Sequence, residues 1–526
     1  MTRRVFFLVS VGAAVVILAG GFFWRPALWG MVFLIPYVGV GIHDLLQRSH
    51  SLLRIYPVVG HIRYLFEEFR PEIQQYFVES NIDGTPFSRE FRSVIYQRSK
   101  GARDTMPFGT QRDVNRIGYE WMTHSLAPKP APDEPPRIRV GGTGCRQPYL
   151  ASYLNISAMS FGALGKNAIR ALNRGARMGG FAHNTGEGGL SPYHLAEGGD
   201  LIWQVGTGYF GCRTLEGDFD AGMFESRAAH PSVKMIEIKL SQGAKPGHGG
   251  ILPAAKVTQE IAKIRGVHAG RDVISPPAHS AFTTPAGLLE FVQRLRELSG
   301  GKPVGFKLCI GYHREFLGIC KAMLATGILP DFITVDGAEG GTGAAPVELS
   351  NSVGMPMRDG LLFVNSALRG IGLRDSIRVI VAGKVVTGFH MIRALALGAN
   401  MCNAARAMMF ALGCIQARKC NTNTCPVGVA TQDPLRNSGV VVADKAERVA
   451  RYHHDTMRSF VELMASTGCE SPEDVTPHEV LRRVDATTIR RFDEIYEYLP
   501  EGGLLETHGF PPRWAGHWER ASTDHF

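Results

Sequence analysis

From Tyr153 to Asn403 the chain repeats one pattern: a short apolar run, a break rich in glycine, then a segment with apolar residues at helical spacing. The apolar runs Tyr153–Ile156, Gly180–His183, Leu201–Val205, Met235–Leu240, Val304–Cys309, Phe332–Val335, Val379–Ala382 and Asn400–Asn403 read as strands. Leu164–Met178, Pro285–Leu298, Glu315–Ala325 and Thr387–Leu397 read as helices between them. Strands without a polar face are those buried on both sides, as in a parallel sheet covered by helices. Roughly eight such units over about 300 residues is the size of a (β/α)8 TIM barrel. The expected fold class is therefore α/β.

In such a barrel the reactive side chains stand just beyond the C-terminal ends of the strands. The unusual residues of this chain stand at those places. Ser157-Ala158-Met159-Ser160-Phe161-Gly162 follows the first strand, with side chains small enough for backbone to lie beside a planar ligand. Asn184-Thr185-Gly186-Glu187-Gly188-Gly189 follows the second and combines a carboxylate with a pliable loop. After the third, Gly206-Thr207-Gly208-Tyr209-Phe210-Gly211 matches G-x-G-x-x-G, but no apolar helix follows and Asp200 precedes it, so it reads as a barrel loop and not as a nicotinamide site. The fourth delivers Lys239, Gln242 and Lys245 in a glycine-rich loop, and two lysines six apart suit a dicarboxylate or a phosphate. Lys307 interrupts an apolar strand, where a lysine needs a partner such as an electron-rich ring edge. Asp336-Gly337-Ala338-Glu339-Gly340-Gly341 follows the sixth strand, and the last two strands end in Gly383-Lys384 and Ala404-Ala405-Arg406, where barrels bind phosphate. Together these loops describe a flavin mononucleotide site beneath a basic substrate pocket.

Beyond the barrel pattern, Cys414, Cys420 and Cys425 stand at C-x5-C-x4-C, with Arg418 and Lys419 in the same loop. Three soft thiolates with cations beside them suit an iron–sulfur cluster, and a missing fourth ligand suggests a 3Fe–4S centre. A zinc knuckle borrowing a distant ligand, or buried free thiols, are the other readings; the C-x2-C and His spacings usual for zinc are not present in the loop.

The N-terminus carries a separate message. Val5–Phe23 is nineteen residues without a charge, and Ala27–Ile42 is a further sixteen. The first run is long enough to span a bilayer and the second, with Pro36, is marginal. Arg3 and Arg4 precede the pair, Arg48 and Arg54 follow it, and Trp24 and Trp29 lie near the turn. The positive-inside rule then gives a hairpin in the inner (cytoplasmic) membrane with both ends, and the barrel, on the cytoplasmic side. A cleaved signal sequence competes, but no A-x-A-like site follows the run. The expected organisation is a transmembrane hairpin over 1–45, a juxtamembrane and Pro-rich region over 46–136, the barrel with its cysteine loop over 137–440, and a short helical extension over 441–526. The net charge of +9 is spread without a basic block, which argues against nucleic acid as a partner.

The runs SAMSFG, NTGEGG, KLSQGAKPGHGG, ISPPAHS, EGGTGAAP and GCIQARKCNTNTCPVGVATQ, in that order between Ile138 and Asp433, resemble the FMN-binding synthase domain of glutamate synthase. The similarity is greatest to stand-alone, membrane-anchored members called FMN-binding glutamate synthase family proteins. It implies FMN in the barrel and a 3Fe–4S cluster on Cys414, Cys420 and Cys425. It also implies Ala158, Met159 and Ser160 at the flavin edge, Gln204 and Lys307 at its polar rim, and Gly340, Gly341, Gly383, Ala405 and Arg406 against the ring or its phosphate. Lys239, Lys245 and Arg265 would face the carboxylates of a 2-oxoacid, with Glu187 and Gln242 adjoining. The implied reaction is reduction of 2-iminoglutarate, formed from 2-oxoglutarate and ammonia, to L-glutamate. The implied electron donor is a ferredoxin or an NADPH-dependent reductase, serving an oxidoreductase of CH–NH2 donors.

Departures from the family pattern open a second expectation. Thr2 and an apolar segment stand where the family has a glutaminase domain, and His248, Ile251 and Leu190 replace Glu, Gln and Glu around the amino-acceptor end. The alternative is a membrane-bound electron-transfer component, or amination of a different 2-oxoacid.

Overall fold

The computed structural model describes residues 3–506 and 511–526. The chain divides into two units, Met1–Glu90 and Phe91–Phe526.

In the first unit, helix α1 (Arg3–Phe23) and helix α2 (Met31–Leu46) form a hairpin through a 3-10 turn at Arg25–Gly30. Arg3–Phe23, 21 residues, and Arg25–Leu46, 22 residues, are each long and apolar enough to cross a membrane. The two helices approach closely because Gly41 lacks a side chain: a Cβ there would lie 2.1 Å from the ring of Phe6. Phe6 is buried by that contact, while Phe22, Phe23, Trp24, Trp29 and Phe33 are exposed. Asp44, buried near the end of α2, accepts hydrogen bonds from Val58 N at 2.9 Å and His61 Nε2 at 2.8 Å. These bonds tie the start of helix Gly60–Ile73 to the hairpin's end.

The second unit is built on a closed barrel of eight parallel strands: β1 (Leu154–Ile156), β2 (His183–Asn184), β3 (Leu201–Val205), β4 (Val233–Lys239), β5 (Val304–Leu308), β6 (Phe332–Asp336), β7 (Arg378–Ala382) and β8 (Met401–Ala404). All eight runs read as strands from the sequence are present. The second is shifted, because Gly180 adopts φ 65° and caps the preceding helix, so β2 begins only at His183. Helices α3 (Lys166–Gly179), α4 (Pro285–Leu298) and α5 (His313–Thr326) cover the barrel as expected, and α6 (Met357–Gly370) follows β6 as a helix the periodicity did not single out. Helix α7 (Gly388–Ala396) follows β7, and α8 (Arg406–Leu412) follows β8.

The interior is held by more than apolar side chains. Glu237 of β4, fully buried, accepts from Asn184 Nδ2 and Gln204 Nε2 at 2.7 Å each and from Thr334 Oγ1 at 2.7 Å. One carboxylate thereby joins β2, β3, β4 and β6, with every donor satisfied.

After the barrel, α9 (Val442–Ser466) packs along α3, where Gly175 keeps a Cβ from coming within 2.8 Å of Val449. The extension expected to be helical over 441–526 departs from helix at Ile489–Arg491, a strand followed by one turn, Phe492–Ile495. That strand completes a three-stranded antiparallel sheet with Val480–Arg483 and Glu120–Met122, so backbone pairing there outweighs helical propensity. Arg358 and Arg393 converge on Glu120 at 2.7 and 2.9 Å and anchor the sheet to α6 and α7.

Candidate active site at the C-terminal mouth of the barrel

Four charged side chains meet over the mouth. Lys239 ends β4, and its Nζ lies 2.9 Å from Glu187 Oε2, in the loop after β2. Glu187 fits only because two neighbours are glycine: a Cβ on Gly250 would lie 2.2 Å from its Oε1, and one on Gly206 2.8 Å from its Cβ. Gly206 belongs to the G-x-G-x-x-G run, so that run serves the packing of Glu187. Burial raises the Glu187 carboxyl, but the Lys239, Lys245 and Arg265 charges more than offset this and hold it below the usual carboxylate range.

The other cations are buried too. Lys245 Nζ donates to Ala344 O at 2.7 Å, and burial pulls the ammonium down to about 8 despite the Glu187 charge. Arg265 Nη2 donates to Phe161 O at 3.0 Å while its guanidinium lies 5.1 Å from the centre of the Phe210 ring. Its Nε is buried without an acceptor, and burial brings the group down to about 10. Gln242 Nε2 is likewise buried without a partner. Two orphaned donors and three cations around one carboxylate leave the mouth short of negative charge and of acceptors.

Beneath this group, Lys307 of β5 pairs with Asp336 of β6 at 3.1 Å. Burial opposes its charge, but Asp336, Glu237 and Glu187 outweigh that and keep the ammonium above its ordinary range. The partner that a lysine in an apolar strand requires is thus a carboxylate of this chain. Gln204 points to Glu237, and among the described residues its amide nitrogen is engaged there.

Ala158, Met159 and Ser160 form a ledge after β1, fixed from below by Met159 N to Asn184 O at 3.1 Å and by His194 Nε2 at 3.2 Å from Met159 O. Across the mouth, a Cβ on Gly341 would lie 2.8 Å from Arg406 Nε, one on Gly340 2.9 Å from Gly337 O, and one on Gly383 2.9 Å from Met357. Arg406 donates to Glu339 O, and Ala405 caps helix α8. Glycine is required at these three positions by the close approach of Arg406, Gly337 and Met357, and the loops that carry them present main chain at the mouth.

The sequence reading did not single out Glu237 or His279. Glu237 interrupts the apolar run of β4 as Lys307 does that of β5, and the same argument applied there would have found it. His279 lies in a loop after β4, with Nε2 2.9 Å from Lys239 O and Nδ1 3.0 Å from Tyr209 Oη. A carbonyl only accepts, so Nε2 carries the proton and Nδ1 accepts from the tyrosine. Burial brings His279 down to about 4, so it stays neutral and holds the backbone at Lys239.

At the rim, Cys414 follows α8, with its carbonyl taking a 2.6 Å hydrogen bond from Tyr96 Oη. Gln416, Arg418 and Asn423 hold positive φ of 59, 53 and 63°, so the loop turns three times through the left-handed region without glycine. Asn423 pins it, donating to Ala255 O at 2.9 Å and accepting from Gln432 N at 2.7 Å. Burial pushes Cys414 up to about 12, with Cys420 and Cys425 adding to the effect. Lys256, buried and donating to Ala163 O at 2.7 Å, adds a cation that acts on Cys420 and Cys425. The three thiols and the cation are the right chemistry for a thiolate-held cluster. Among the described residues, however, no three His, Cys, Asp or Glu side chains stand in metal-holding geometry.

A family model described as the conserved region in glutamate synthase matches residues 131–470. The glutamate synthase large subunit-like protein YerD of Bacillus subtilis is 36% identical over 509 residues, covering 89% of this chain and 96% of that protein. The archaeal-type glutamate synthase [NADPH] of Thermotoga neapolitana is 35% identical over 332 residues, which are 62% of this chain and 62% of that protein. The glutamate synthase [NADPH] large chain of Bacillus subtilis is 35% identical over 366 residues, and the chain spans 22% of its length. The chain belongs to the glutamate synthase family.

Proposed function

We propose that the chain is an oxidoreductase that aminates a 2-oxoacid reductively, with 2-oxoglutarate favoured and L-glutamate as product. The carrying observation is the charge balance at the mouth: Lys239, Lys245 and Arg265 around Glu187 leave a surplus of two positive charges, which a dicarboxylate cancels. The overall step takes 2-oxoglutarate, ammonium, two electrons and two protons to L-glutamate and water.

FMN, when bound, would supply hydride transfer, and a 3Fe–4S cluster, were it held by Cys414, Cys420 and Cys425, would supply single electrons. The ledge Ala158–Ser160 and the loops of Gly340, Gly341 and Gly383 would receive the ring, with Arg406 toward its phosphate. Lys307, charged and fixed by Asp336, would hold positive charge at the ring's polar edge. Lys239, Lys245 and Arg265 bind and orient the substrate carboxylates. Glu187 keeps Lys239 aimed, and His279 fixes the backbone beneath it. Gln242 offers its free N–H to a substrate oxygen.

Electrons would come from a ferredoxin or an NADPH-dependent reductase, and the apolar hairpin would hold the protein at the inner membrane, with the barrel toward the cytoplasm. That hairpin, together with apolar Ile251 and Leu190 near the pocket, favours the second reading, an electron-transfer component serving a membrane partner or quinone. An anaerobic assay of the purified full chain with a chemical reductant, ammonium and a panel of 2-oxoacids decides between them. Amino acid formation supports the synthase reading. Reduction of a quinone analogue with no amino acid from any 2-oxoacid replaces it by the second.

A further inference from the structure

At the opposite end of the barrel from the mouth lies a cavity of about 450 Å³, within the range of small-molecule sites. Its walls come from where strands begin: Tyr153 precedes β1, Arg378 opens β7, and Asn400 precedes β8. Three guanidinium groups line it, those of Arg369, Arg374 and Arg378.

The three are held differently. Arg374 is tied into the wall, donating to Asn365 Oδ1 at 2.7 Å, Ile377 O at 3.1 Å, Gly398 O at 2.7 Å and Asn400 Oδ1 at 3.0 Å. It supplies a fixed charge. Arg369 makes one bond, from Nε to Leu499 O at 3.2 Å, and Arg378 one, from Nε to Arg139 O at 3.1 Å. Among the described residues the Nη ends of both have no acceptor. Tyr498, on the same wall, has a buried hydroxyl with no partner.

Two carboxylates also line the cavity. Glu473 accepts from Tyr153 Oη at 2.6 Å, and Asp375 is exposed next to Arg374. Neither forms an ion pair with Arg369 or Arg378, whose forks are therefore open for the planar, two-oxygen contacts that guanidinium groups make with carboxylate and phosphate.

We propose that this cavity is a second ligand site, distinct from the mouth, that binds a small oxyanion of multiple charge, a polycarboxylate or a phosphorylated metabolite, through the free ends of Arg369 and Arg378 over the fixed charge of Arg374. The site would let a ligand act on the barrel from its stable end without competing for the substrate pocket.

The test is calorimetric titration of the full-length protein in detergent with citrate, with pyrophosphate and, as a control for bulk charge, with sodium chloride at matched ionic strength. Wild type, the double variant Arg369→Gln/Arg378→Gln, Tyr498→Phe and the mouth variant Lys245→Ala are compared. The double variant removes both guanidinium groups together with their single bonds to Leu499 O and Arg139 O, and Arg374 is left intact so that the wall keeps its four bonds. Citrate binding that exceeds pyrophosphate identifies a polycarboxylate site, and the reverse a phosphate site. The double variant should weaken by about tenfold to a hundredfold a binding event that persists in Lys245→Ala, a change that weakens only anion binding at the mouth, and Tyr498→Phe should weaken that event less. Equal binding in wild type and double variant, or loss in Lys245→Ala alone, assigns the anion to the mouth and overturns the proposal. Failure of wild type to bind either anion above the chloride control overturns it as well. Amino acid formation is not a readout here, so failure of this proposal leaves the catalytic reading standing.

Discussion

Lys245 is the residue at which pH and substrate binding meet. Burial brings its ammonium to about 8, so below that pH the mouth carries its full surplus of positive charge and above it one charge is lost. A bound carboxylate favours the charged form, so affinity for a 2-oxoacid should be level at about pH 7 and fall up to tenfold per unit above about pH 8, as proton uptake becomes coupled to binding. Titration of the bound flavin's spectrum with 2-oxoglutarate across pH measures this. Lys245→Arg should flatten the profile, and an unchanged decline would move the titrating group elsewhere. Ile251 makes a different contribution. It stands on a short strand, Ile251–Leu252, paired with Val273–Ile274, half-buried near the pocket, where the family pattern has glutamine. If the proposed substrate presents a polar atom to Ile251, an apolar side chain there leaves that atom without a partner, a loss of about 1–3 kcal/mol. Ile251→Gln should therefore tighten 2-oxoglutarate by roughly tenfold to a hundredfold over oxoacids lacking that atom, whereas Lys245→Ala should weaken all of them. That Lys239 and Lys245 stand together at the mouth was legible in the sequence, because a glycine-rich loop after a strand is a poor place for idle cations. That Lys307 pairs with Asp336 and Gln204 with Glu237 was not, because residues from different strands meet only once the barrel closes.

At the scale of the element, β4 and the cysteine loop are the informative cases. Glu237 gives β4 a buried carboxylate that accepts from three neighbouring strands. Glu237→Leu removes the acceptor and leaves three buried donors unpaired, each costing about 1–3 kcal/mol. The expected result is a fall of several degrees or more in the thermal midpoint, or failure to accumulate folded protein, while Glu237→Gln should be milder because it keeps one carbonyl acceptor. Equal midpoints for Glu237→Leu and wild type would mean that the network contributes nothing to the barrel. The cysteine loop tests another kind of dependence. Its turns include left-handed Gln416 and Arg418, and Asn423 ties it to Ala255. Cys420→Ser should remove most of the iron from purified protein and leave flavin content unchanged, because the proposed flavin loops at Gly340, Gly341 and Gly383 follow β6 and β7. Equal iron in both proteins would remove the cluster from the proposed function. The spacing C-x5-C-x4-C was visible from the start, but the buried Lys256 that faces it comes from a segment over a hundred and fifty residues earlier and carries no local sign of that role.

At the scale of the whole molecule, the chain carries an apolar helical hairpin and a closed parallel barrel. The barrel was legible because a strand covered on both faces must be apolar throughout and must alternate with helices, a pattern that survives without knowledge of any single contact. The C-terminal sheet was not, since Ile489–Arg491 is too short and too charged to announce itself and exists by pairing with Val480–Arg483, which in turn pairs with Glu120–Met122 far away in sequence. The hairpin was legible for a different reason: length, apolar content and flanking arginines are properties of composition alone. In the structure its helices bury Phe6 and Gly41 against each other and expose Phe22, Phe23, Trp24, Trp29 and Phe33. Arg3 and Arg4 on one side and Arg48 and Arg54 on the other then predict that both ends stay in the cytoplasm. A fluorescent reporter joined after Phe526 should mature in the cytoplasm and fractionate with membranes, and an alkaline phosphatase joined at the same point should be inactive. Deleting residues 3–46 should release the barrel from the membrane fraction. High phosphatase activity would put the barrel in the periplasm, where a cluster on three thiolates and a cytosolic electron donor are both out of reach, and would leave the apolar segment to be read as an export signal.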